Sequence, residues 1–158
     1  MGKAQEIEII ARGITFHGPA LLCCRNVRHG YLYLPGGHVE PGEAASAALA
    51  REFDEEAGEV VRVGSFLAAV ENAFSQRGEA VHELSLVFHV ELRPGARGAD
   101  RPTIRSREPK IAFDWVTERQ FEEATFLPPI LRRWLLRRWG EPPNSSEPDP
   151  WLTSMDRA

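Results

Sequence analysis

Glu52, Asp54, Glu55 and Glu56 crowd into one short run behind the stretch GGHVEPGE, Gly36 to Glu43, and an alanine-rich segment. On a helix turning about 100° per residue, Phe53 and Ala57 fall on the Leu49 side that faces a core, and Glu52, Glu55 and Glu56 share one arc on the other flank. Residues three and four apart on a helix have Cβ atoms about 5–6 Å from each other, and like charges at that distance repel. The acids also end the helix, where the macrodipole disfavours negative charge. Glu56 lies near enough to Leu49 on the wheel to be partly shielded from water, so the cluster requires something that neutralises it. All-oxygen ligands select hard cations such as Mg²⁺ or Mn²⁺. Mg²⁺ keeps several waters and joins carboxylates to substrate phosphates, an arrangement suited to hydrolysis. Taken alone, the run also fits a solvated acidic face. Gly36, Gly37 and Gly42, which let backbone approach a ligand closely, favour a site.

The elements that must position these acids follow from pattern. Strands are expected in EIEIIARGITFH, ALLCCRN and YLYLP, separated by His17-Gly18-Pro19 and the loop NVRHG. A helix from about Ala44 to Ala57 stops at Gly58. VVRVGSFLAAVENAF and AVHELSLVFHVEL, flanking SQRGE, predict a long hairpin. A Pro/Gly/Arg-rich surface loop then leads to the short strand IAFDWVT. A last helix begins near Pro128 and Pro129 and carries an apolar stripe of Ile130, Leu131, Trp134, Leu135, Leu136 and Trp139. Arg132, Arg133, Arg137 and Arg138 fall mostly opposite it, as a solvated basic face rather than a phosphate surface. Residues 1–140 make a single domain, and 141–158, rich in proline, read as a flexible C-terminal tail that Trp151 and Leu152 could tack to a neighbour.

At 158 residues the chain can bury a core without disulfides or structural metal. Nineteen basic against 23 acidic side chains, a formal charge of −4, argue against a surface built to hold nucleic acid. No signal peptide and no membrane-length apolar run is present, so a cytoplasmic location is expected, with no membrane and no stable nucleic-acid partner. Adjacent Cys23 and Cys24 suit neither an ordinary disulfide nor a zinc site and read as reduced, buried strand residues.

Gly37, then five residues, Glu43, then seven residues and REFDEEAGE, resembles the Nudix box. All its fixed positions are filled: Gly37, Glu43, Arg51, Glu52, Glu55, Glu56 and Gly58. Phe53 stands where an aliphatic residue is usual, and Glu59 where an apolar one is expected. The resemblance implies an α/β fold, the Nudix α/β/α sandwich with a mixed central sheet. It also implies Mg²⁺- or Mn²⁺-dependent hydrolysis of a nucleoside diphosphate linked to another moiety. Glu52, Glu55 and Glu56 would hold the metal with the Gly36 carbonyl as an extra ligand, and Arg51 with Glu43 would tie loop to helix. The expected reaction is attack of a metal-activated water on a diphosphate phosphorus, with Glu55 favoured as base and Glu52 next. Spacing alone does not separate base from ligand.

Beyond the box, Glu83 sits in an otherwise apolar strand, where an unpaired buried carboxylate is costly. It either points outward, alternating with Leu84 and Leu86, or is aimed at the metal. Asn72 and Phe74 are candidates for contact with a base or sugar, against an ordinary hairpin end. His38 and His82 read as surface or structural histidines, and Trp115 as core. A small-molecule nucleotide is the expected partner, with a homodimer as a possible assembly. A non-catalytic nucleotide-binding or regulatory module is the rival reading, and it predicts eroded metal acids or an added DNA-binding domain. The metal acids are intact, and no added domain is expected.

Overall fold

The structure is a computed structural model and describes residues 6–93, 100–141 and 151–155. The chain runs β1 (Ile7–Ile14), β2 (Phe16–His17), β3 (Ala20–Asn26), β4 (Leu32–Tyr33), β5 (Gly36–His38), α1 (Ala45–Ala57), β6 (Val61–Gln76) and β7 (Glu79–Leu92). It continues through β8 (Ile111–Thr117), α2 (Glu118–Glu123), α3 (Pro129–Arg137) and β9 (Trp151–Thr153). One sheet has the order β5-β1-β7-β6-β9 and is mixed, since β1 with β7 and β6 with β9 are parallel while the other pairs are antiparallel. In the second sheet β3 carries β8 along one edge and β2 and β4 in succession along the other.

Two apolar clusters follow from the alternation of the strands. Ile14, Val70 and Val87 meet Leu21, Val116, Phe121, Phe126, Leu131 and Trp134, so the first cluster joins the two sheets to α2 and α3. Ala11, Leu22 and Val90 meet Leu49 and Phe53, so the second lies under α1. The aromatic ring of Phe53 fits an aliphatic position because Gly13 makes room: a Cβ there would stand 3.0 Å from the ring and 2.8 Å from Val90. Cys23 and Cys24 are free and fully buried, as their strand setting predicts. Among the described residues no helix is long and apolar enough to cross a membrane.

The expected hairpin, last strand and last helix are present, but three features differ from the sequence reading. Thr117 starts an extra short helix, α2, through a capping box with Gln120. Arg138 is not on a solvated face; its guanidinium lies 5.2 Å over the Trp134 ring, with only 13% of its side chain exposed. Trp151–Thr153 pairs in register with Ala69–Glu71, and Leu152 packs on the first cluster. The rest of the expected tail, 142–150 and 156–158, lies outside the described residues, as does 94–99 of the surface loop.

Candidate active site

The loop before α1 is held against the helix by close backbone approach. Gly36 lies at φ +134°, and a Cβ on it would stand 2.0 Å from the Ala11 carbonyl oxygen of β1. A Cβ on Gly37 would meet the Glu52 carboxyl carbon at 2.3 Å. Only glycine lets β5 lie between β1 and the acidic face of α1.

Arg51 bridges loop and helix. Its Nε donates to Glu43 Oε1 at 2.9 Å and its Nη2 to Glu43 Oε2 at 3.0 Å, a two-pronged pair that fixes orientation as well as distance. Nη2 also donates to the His38 carbonyl, and Nη1 reaches Glu52 Oε1 at 3.1 Å and Glu55 Oε2 at 3.2 Å. The Arg51 bonds, helped by the Glu40 N–H, hold the Glu43 carboxyl below the usual carboxylate range. Much of the repulsion expected from the sequence is therefore relieved by one arginine.

At the helix end a second arginine acts. The Arg107 N–H donates to the Glu56 carbonyl at 2.6 Å, and its Nη1 to the Asp54 carbonyl at 2.9 Å. A cation on the last carbonyls of a helix offsets its dipole. Gly58 completes the end in the left-handed conformation, with its N–H on the Asp54 carbonyl at 2.8 Å.

Glu56 is different. Among the described residues it forms no ion pair. Burial, then the charge of Glu52, pushes it up to about 7; Arg12 opposes the shift, and Glu108 and Glu55 add to it. The acid that the helix wheel placed nearest the core is the one left without a partner.

Glu83 lies directly across from Asn72 on β6 and from Glu8 on β1, so these side chains share one face of the sheet. Burial raises Glu83, and Arg12 is the main influence against the rise. Phe74 is further along the hairpin, 37% exposed. His82 is on the other face, 3.4 Å from Glu71, and exposed His38 meets Glu8 at 3.1 Å. Trp115 packs on the second cluster and donates to the Pro102 carbonyl.

The sequence reading passed over Arg12, although a single cation in an apolar strand is the same kind of signal that marked Glu83. Its Nη1 donates to the carbonyls of Leu34 and Gly36, both at 3.1 Å, and its guanidinium lies 5.6 Å over the Tyr33 ring. Arg107 and Glu108, brought in from a loop far along the chain, carried no local signal.

The candidate donors are all oxygen: the Glu52, Glu55 and Glu56 carboxylates on α1, the Glu83 carboxylate on β7 and the Gly36 carbonyl, which also accepts from Arg12. That set, with crowding that burial has already made costly, suits a hard divalent cation. Among the described residues no three acidic, histidine or cysteine side chains converge as a ready cluster, since Glu52 and Glu55 are turned to Arg51. Two hollows, of about 270 and 290 Å³, are lined by Trp134 with Arg138 and by His17 with Trp115, and include no residue of the Gly36–Gly58 segment.

With this geometry the chain matches the model of the NUDIX domain over residues 10–137. It belongs to the NUDIX family, whose members are hydrolases of phosphoanhydride bonds, and the membership carries the enzyme class. Among curated protein sequences none matches. Several solved structures share the fold. A NUDIX hydrolase from Nitrosomonas europaea aligns with TM-score 0.69 at 17% identity, over 96% of this chain and 80% of that one. The MutT protein from Methanosarcina mazei Go1 aligns at 0.63 and 23%, over 86% and 95%. An ADP-ribose pyrophosphatase from Streptococcus suis aligns at 0.56 and 15%, over 92% and 98%. The α/β/α sandwich with its mixed sheet is the NUDIX fold.

Proposed function

We propose that the chain is a Mg²⁺- or Mn²⁺-dependent pyrophosphohydrolase that cleaves the diphosphate bond of a nucleoside diphosphate linked to another moiety. The observation that carries this reading is Glu56, half-buried and in no ion pair among the described residues, beside Glu52, Glu55 and Glu108 at the end of a helix fixed to its loop by Arg51. Glu52, Glu55, Glu56 and the Gly36 carbonyl would hold the cation, with Glu83 reaching it from β7. When bound, such a cation polarises a phosphoryl oxygen and makes water a better nucleophile. Arg51 fixes the loop and orients Glu52 and Glu55 by its own hydrogen bonds. Glu55, 58% exposed, is open to water and serves as general base. Asn72, on the face of Glu83, and Phe74 would meet the nucleoside.

The substrate classes to test are ADP-ribose, nucleotide sugars, dinucleoside polyphosphates and oxidised nucleoside triphosphates. The reading supported is a cytoplasmic enzyme with a small-molecule nucleotide substrate and no stable nucleic-acid partner. Its homodimer is tested by light scattering. The deciding experiment follows the nucleotide products formed from this panel by chromatography, with and without Mg²⁺. Wild type is expected to turn over at least one class only with metal, and Glu55→Gln and Glu56→Gln to lose that turnover. A wild type inert on every class with either metal would make this a nucleotide-binding module instead.

A further inference from the structure

Three arginines touch the loop and helix that carry the acids; Arg51 uses every guanidinium nitrogen there, and Arg107 is committed through its Nη1 to the end of α1. Arg51 is shared between Glu43, Glu52, Glu55 and the His38 carbonyl, and Arg107 caps α1. Arg12 differs. Its Nη1 is anchored by the Leu34 and Gly36 carbonyls, and the guanidinium lies over the Tyr33 ring at 5.6 Å, which together hold the group in position. Its other donors, Nε–H and the Nη2 hydrogens, make no hydrogen bond among the described residues. The guanidinium acts electrostatically on both Glu56 and Glu83, one from α1 and one from β7, yet is ion-paired to neither.

A pre-oriented guanidinium with one free edge, ion-paired to no carboxylate among the described residues, is a receptor for a planar pair of anionic oxygens. A diphosphate entering a site this acidic also needs a fixed cation, because Glu52, Glu55, Glu56, Glu83 and Glu108 would otherwise repel it. We propose that Arg12 is the substrate-phosphate anchor: its Nε/Nη2 edge takes two non-bridging oxygens of the diphosphate while the Leu34 and Gly36 carbonyls hold Nη1. This deepens the hydrolase reading and rests on it for the substrate class. Arg12 is a binding residue, and the acids perform the chemistry.

The test uses Arg12→Met, which keeps the apolar stem, and Arg12→Lys, which keeps a point charge without the fork. The ligand is imidodiphosphate, a diphosphate that resists hydrolysis, titrated calorimetrically with Mg²⁺ present, and Mn²⁺ uptake without diphosphate is measured alongside. Arg12→Met is expected to weaken imidodiphosphate by about 10-fold or more, and Arg12→Lys by less. Mn²⁺ uptake should be unchanged or tighter, since a nearby positive charge has been removed. On any substrate that is turned over, KM should rise more than kcat falls. Imidodiphosphate bound equally well by Arg12→Met, or not bound by wild type, overturns the anchor. So does a parallel loss of Mn²⁺ uptake, which would make Arg12 a support for the loop. If wild type binds imidodiphosphate through Arg12 yet hydrolyses nothing, the anchor stands and the hydrolase reading falls. Hydrolysis with KM unchanged in Arg12→Met has the reverse outcome.

Discussion

On either side of Gly58 the chain shields a glutamate from water, Glu59 almost wholly and Glu56 by half, and the two have opposite surroundings. Glu59, 6% exposed, is met by Arg93 with Nε on Oε2 at 2.7 Å and a second contact from Nη2 to Oε1. That fork explains a charged residue where the Nudix box expects an apolar one. Glu56, on the helix side, has no such partner, and burial with Glu52 drives it up to about 7. A paired enclosed carboxylate joins two segments of chain. An unpaired one stores an unfavourable charge that a ligand can relieve.

The largest effect that sharpens this contrast is on turnover: Glu56→Gln should lower kcat by about 100-fold or more on any substrate found, as expected for a lost metal carboxylate. Steady-state kinetics on the active member of the panel checks it, and a residual rate above a tenth of wild type would break the contrast. Next is Gly37→Ala, whose new methyl must displace the Glu52 carboxylate. A loss of activity of about 10-fold is expected for an acid moved off its position, with Gly42→Ala, which meets no atom within 4 Å but does carry a left-handed φ, as the comparison. Arg93→Met strips Glu59 of its partner, and calorimetry should show Tm lower by roughly 5 °C with activity kept while the protein stays folded. If activity fell with Tm unchanged, Glu59 would belong to the site after all.

The smallest effect is a pH dependence of stability. The Glu56 carboxyl sits at about 7 in the fold against 4.5 for a free side chain, so the folded state holds the proton more tightly. Its neutral form is favoured at low pH, and stability is lost as pH rises from 4.5 towards 7. Without metal, Glu56→Gln should therefore be the more stable protein at pH 8 by on the order of 1 kcal/mol, after allowing for solvent screening. The difference should vanish near pH 4, and thermal melts across that range read it directly.

The parts of the fold legible in the sequence are those set by local pattern. Runs of branched and aromatic residues around a turn marked the hairpin, and Gly58 marked the end of α1. Resemblance to the Nudix box implied Glu43 and Arg51 as a pair, and their geometry is that of a clasp. The unread parts depend on residues far apart in the chain. Arg93 lies 34 positions from Glu59, and Arg107 lies 53 from Asp54, so neither contact leaves a local trace. Register resolves what alternation left open for Glu83, because pairing with Asn72 and Glu8 puts it on the face with Arg12. The segment at Trp151–Thr153 has too little periodicity to announce a strand, and its pairing depends on what β6 offers.

That small strand has a consequence of its own. By lying along Ala69–Glu71 it occupies main-chain donors and acceptors that a bare margin of β6 would present to any extended peptide. Removing it should turn a well-behaved solute into a sticky one, with β6 recruiting copies of itself and turbidity rising on storage.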